Sequence, residues 1–148
     1  MVKYAFDNGV NIFDTAEGYG TGKGEKQMGL ALKNLNTSRA NYVLTTKIFF
    51  GNFSEEGNTI VNSNSTCRKH LIEGLDRSLK NLDHDYVDVV FCHRYDEETP
   101  TLEVCQTMKD LISQGKALYW ATSAWPSLRI MEAIHICDRI GAPRPIAD

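Results

Sequence analysis

Short apolar runs alternate with helix-period segments along the whole of this chain, and that alternation leaves few folds open. The runs are Val10–Phe13, Tyr42–Ile48, Tyr86–Cys92 and Ala117–Thr122, rich in the β-branched and aromatic residues that suit strands. Between them apolar residues recur every three or four positions. Met28, Ala31, Leu32 and Leu35 mark a helix over Gly24–Leu35, and Leu71, Leu75, Leu79 and Leu82 mark the next. Val104, Cys105, Met108, Leu111 and Ile112 mark a third, and Ile130, Ile134 and Cys137 a fourth. A strand that reaches its neighbour through a helix arrives parallel to it, by a right-handed crossover. The class is therefore α/β with a parallel sheet.

Punctuation agrees with this reading. The first nine residues look like a helix end closed by Gly9, and Gly115 closes a later helix. Ser65 or Thr66 is expected to cap the helix of Leu71. Pro100 opens the next helix, where a missing N–H costs nothing, and Pro126-Ser127 opens the last. Pro145-Ile146-Ala147 reads as the start of a fifth strand. Gly51–Ser65 is the longest irregular stretch, and long loops in compact domains tend to be functional or mobile. No linker or shift of composition divides the 148 residues, so a single domain over 1–148 is expected.

A net charge of -3 gives no reason to expect nucleic acid or an anionic membrane as partner. No apolar run approaches the roughly 20 residues that span a bilayer, and Met1–Gly9 lacks the apolar stretch of a signal peptide. The cytoplasm is the expected compartment. Cys67, Cys92, Cys105 and Cys137 contain no C-x-x-C pair, which argues for reduced thiols and against a zinc site. N-x-[ST] matches at Asn36, Asn52 and Asn64 read as chance polar loops.

Polar or small residues stand at the C-terminal ends of all four strands: Asp14, Lys47, His93 and Ser123. In parallel α/β folds ligands bind at that edge. Each has an ordinary explanation by itself, as a turn residue, a solvated charge or a half-buried histidine. Acid, tyrosine (Tyr19, on the Gly18–Gly20 turn), lysine and histidine on one rim are harder to obtain by accident. Gly18–Glu25 hints at a phosphate loop but has the wrong glycine spacing and no Ser or Thr after Lys23. His70 and His135 lie on predicted helices without a second ligand at i+4, so no metal site is expected. His84 falls in a turn. Trp120 is expected in the core, and Trp125 against a pocket.

Four stretches resemble the aldo-keto reductases: Phe13 through Gly20 (FDTAEGYG), Thr45-Thr46-Lys47, Ser78 through His93, and Gly115 through Ser123. They run in the family's order over nearly the whole chain. Lys47–Gly51, Arg68–Leu75 and Ala117–Trp120 are similar to the branch containing voltage-gated potassium-channel β subunits.

The resemblance implies an eight-stranded (β/α) barrel, of which the chain supplies what look like strands two to five and the start of six. It implies Tyr19 as general acid, Lys47 as its electrostatic partner, Asp14 as the group holding Lys47 and a cofactor contact, and His93 as the carbonyl-orienting residue. Ser123 matches a contact to the nicotinamide amide, and Phe50 and Trp125 are expected in the substrate pocket. The implied reaction is NADPH-dependent reduction of an aldehyde or ketone. A free phenol, titrating near pH ~10, is a poor acid at neutrality; an adjacent ammonium stabilises the phenolate it leaves behind. Ala124 departs from the Asn of many members and the Arg of the channel branch, and His93 from the Asn common in that branch. The resemblance also implies a fragment, expected to be poorly stable and inactive alone. The alternatives are a channel-subunit-like, redox-sensing binding protein, with a homo-oligomer or channel as partner, and an inactive remnant.

Overall fold

The structure is a computed structural model that describes residues 1–51 and 62–148. Four strands form one parallel sheet in chain order: β1 (Ile12–Asp14), β2 (Val43–Ile48), β3 (Val87–Cys92) and β4 (Ala117–Thr122). Helices α1 (Val2–Asp7), α2 (Gly24–Lys33), α3 (Arg68–Leu82), α4 (Thr101–Ser113) and α5 (Ser127–Ile140) complete the alternation, with a short 3-10 turn at Arg39–Asn41. The loop expected over Gly51–Ser65, with its Asn52 match, falls largely outside the described residues.

The register decides the architecture. Asp14, Thr45, Val89 and Tyr119 form one row across the sheet, and Lys47, Phe91 and Ala121 the next. Residues of the opposite parity turn to the helices. Thr46 donates its hydroxyl to Glu25 of α2, and Ile48 lies against Gly74 of α3. Helices α2 to α5 pack side by side on that face, over a core that includes Leu44, Ile48, Leu71, Leu75, Val90, Met108 and Trp120. No described element covers the other face, and Ile12 and Tyr119 there are 60% and 52% exposed. Sequential strand order with every helix on one side is the arrangement of a (β/α) barrel. A doubly wound sheet would reverse its order and carry helices on both faces. The fold is α/β, consistent with part of such a barrel.

Two local expectations are corrected. Helix α3 is not capped by Ser65 or Thr66: Cys67 holds that position without a side-chain capping bond, and its own amide donates to Ser65 Oγ at 3.2 Å. The amide of Arg68 donates instead to Glu103 of α4 (2.8 Å), and that of Thr66 to Asp96 (2.9 Å). Glu103, from another element, thus satisfies the first helical amide, an orphan donor that a capping hydroxyl would have taken. Residues 145–147 do not form a strand. They do make two backbone bonds to β4, Ile146 N–H to Trp120 O and Thr122 N–H to Ala147 O, both 3.0 Å. Pro143 and Pro145 have no N–H to extend the ladder. Trp120 is fully buried as expected, its indole N–H donating to Pro143 O at 2.7 Å.

Candidate active site

The strands deliver their polar ends to one edge. Asp14 is the last residue of β1, Lys47 the penultimate residue of β2, and His93 and Ser123 directly follow β3 and β4. The amide of His93 still donates to Ile48 O (3.0 Å), which fixes where its side chain starts.

Lys47 is 9% exposed. A buried ammonium needs compensation, and it donates to the Asp14 carboxylate and to Thr15 O (3.0 Å). Asp14 also accepts the hydroxyl of Thr45, its neighbour in the register. The ammonium lies 5.0 Å from the centroid of the Tyr19 ring. That ring stands 45% exposed on a turn closed by Gly24 N–H to Tyr19 O (2.9 Å). A side chain at Gly24 would sit 2.9 Å from the same carbonyl, so glycine lets α2 begin directly against Tyr19.

His93 is buried between two rings, edge-to-face with Tyr19 (centroids 5.8 Å) and with Phe50 (5.0 Å). Burial, then the charges of Arg94 and Lys47, hold its pKa below the usual histidine value, against opposing pulls from Glu17 and Asp14. A neutral imidazole keeps one N–H to donate, and its Nδ1 is buried with no hydrogen-bond partner among the described residues. Ser123 Oγ accepts from Arg94 Nη1 at 3.2 Å, and the same nitrogen donates to His93 O at 2.6 Å. Asp14, Tyr19, Lys47, His93 and Phe50 are thus linked by direct contacts, with Ser123 joined through Arg94. Trp125 lies outside this network. It is buried edge-to-face on Tyr95 (5.2 Å), and no ring contact or hydrogen bond ties it to the others among the described residues.

Three participants are not among the site residues expected from the sequence. Glu17, with a side chain 1% exposed, gathers on one oxygen the amides of Phe49 (2.6 Å) and Gly51 (3.1 Å) and Nε2 of His70 (3.0 Å). It therefore fixes the backbone on both sides of Phe50. With two amide donors already on that oxygen, His70 Nε2 is also a donor. A signal was available: His70, Gly74 and Ser78 line one stripe of α3 within its buried face, where a histidine needs a buried partner. Arg94 is the third, next to His93.

A model of the Aldo/keto reductase family matches residues 1–143. The chain belongs to the aldo/keto reductase family. Similar relatives include a putative voltage-gated potassium channel subunit beta of Schizosaccharomyces pombe, 46% identical over 147 residues. Probable voltage-gated potassium channel beta subunits of Oryza sativa subsp. japonica and Arabidopsis thaliana are each 43% identical over 142 residues. The matches cover 99%, 96% and 96% of this chain but 42% of each relative. Members of this family are NADPH-dependent oxidoreductases. Among the described residues no helix is long and apolar enough to cross a membrane.

Proposed function

We propose that this aldo/keto reductase chain, read as one domain over 1–148, carries the catalytic end of a cytoplasmic NADPH-dependent carbonyl reductase. The carrying observation is the juxtaposition of a compensated ammonium, a solvent-facing phenol and a neutral imidazole on one strand edge. Tyr19 gives its hydroxyl proton to the carbonyl oxygen of an aldehyde or ketone and regains one from water. Lys47, held by Asp14 and Thr15 O, stabilises the phenolate left behind. His93 donates to the same oxygen and gathers the negative charge that develops there.

The donor set suits a reduced nicotinamide: the Ser123 hydroxyl, accepting from Arg94, keeps its own hydrogen for the carboxamide, and Asp14 stands at the same edge. When bound, that cofactor supplies the hydride and leaves as NADP+. Phe50, 41% exposed against His93, walls the substrate side. Trp125 belongs to that wall only if Tyr95, on which it packs, does.

The test is turnover of simple aldehydes with NADPH by the wild type and by Tyr19→Phe. Loss of a general acid costs about 10²–10⁴-fold in kcat, with cofactor binding retained. Equal turnover by both proteins would sink the assignment. The names of the relatives favour a second reading, a redox-sensing subunit that binds a channel. NADPH binding without turnover in the wild type would select it.

A further inference from the structure

Arg94 stands on the rim with only part of its guanidinium engaged. Nη1 serves His93 O and Ser123 Oγ, and the guanidinium carbon lies 5.8 Å from the centroid of Phe50. Nε and Nη2 have no partner among the described residues. Among the described residues Arg39, Arg68, Arg129 and Arg144 are each paired with a carboxylate, whereas Arg77, Arg94 and Arg139 are not. The acid two residues on, Asp96, is occupied by the amides of Thr66 and Glu98 and by the Thr99 hydroxyl. Lys47 is neutralised by Asp14, and His93 is held neutral. Among the described residues Arg94 is therefore the cation beside the reacting groups that no carboxylate compensates, with its planar fork anchored at one nitrogen. Such a fork matches a carboxylate in shape and charge.

We infer that the substrates are aldehydes and ketones that also carry a carboxylate, which Arg94 receives while the carbonyl is presented to Tyr19 and His93. This rests on the carbonyl-reductase reading. The Phe50 ring beside the guanidinium supplies an apolar wall for the part of the substrate that joins the two groups.

The experiment compares 4-carboxybenzaldehyde with its neutral methyl ester, using NADPH, in the wild type, Arg94→Lys and Arg94→Met. A charged hydrogen-bond pair predicts a kcat/KM preference for the acid of about tenfold or more in the wild type. That ratio should fall through Arg94→Lys to near unity in Arg94→Met. An unchanged ratio in Arg94→Met overturns the inference. If no aldehyde turns over, the reductase reading fails separately, and the anion site is decided by nitrogen NMR of Arg94 Nε–H during titration with benzoate and with benzamide. A saturable shift with benzoate alone supports the site. No shift, equal shifts with both, or a shift produced only by NADPH overturns it.

Discussion

On the rim His93, like Lys47, is buried. Its pKa is lowered, first by desolvation and then by Arg94 and Lys47, so the native state prefers the neutral ring. The stability this represents is fully present above the unfolded value of 6.5 and is lost as pH falls through the lower, folded value. Glu25, fully buried on α2, works in the opposite sense: its carboxyl is raised above 4.5 by burial, so its contribution is full below 4.5 and is lost as pH rises through its folded pKa. The two are separated by difference. Denaturant unfolding of wild type and His93→Asn between pH 8 and pH 5 should show the wild type losing more stability on acidification, and parallel curves would refute a neutral, buried His93. Asp14, Lys47 and His93 were legible in the sequence because strand ends announce themselves. Glu17 and Arg94 were not, because Phe49, Gly51 and His70, which meet Glu17, and Ser123, which meets Arg94, are distant in the chain. Ala124 shows the same limit. Its φ of 53° places it in the left-handed region, where Asn is tolerated far better than Ala, and no pattern of apolar residues encodes that.

Among the elements, α2 packs tightly against the end of α3 at Gly29. A Cβ at Gly29 would lie 2.3 Å from Leu82 O and 2.7 Å from its carbonyl carbon. Those are backbone atoms beside the left-handed residue Asp83 that ends the helix, so neither side can yield by rotating a side chain. Gly29→Ala should gain about 1 kcal/mol in helix propensity and lose about 3 kcal/mol to overlap, a net loss of about 2 kcal/mol. Chemical denaturation measures it directly, and a gain in stability would show that the two helices stand farther apart. The helices were readable from their apolar spacing to within a turn, and so were the strand positions. The exchange of caps at α3 was not. Glu103 and Asp96 reach the amides of Arg68 and Thr66 only because α4 and the loop after β3 are folded beside it.

For the molecule as a whole, the decisive feature is the sheet face that no described element covers. Ile12, Phe91 and Tyr119 share it with Asp14, Thr45 and Lys47, so apolar surface lies open beside the catalytic rim. Burying such surface is worth about 25 cal/mol per Å², and β1 also offers an unpaired edge. The β4 edge is blunted by the bonds from Ile146 and to Ala147. The 148 residues alone are therefore expected to self-associate at micromolar concentration and to bind a hydrophobic dye. Sedimentation velocity over a concentration series measures the first, and dye fluorescence the second. Charges placed on the open face, Ile12→Lys with Tyr119→Lys, should shift the population toward monomer. Leu128→Lys, on the outer side of α5 and 75% exposed, should not. If both changes act alike, association runs through the helical surface. A monomer that melts reversibly and cooperatively without either change would mean that the open face costs far less than its composition implies.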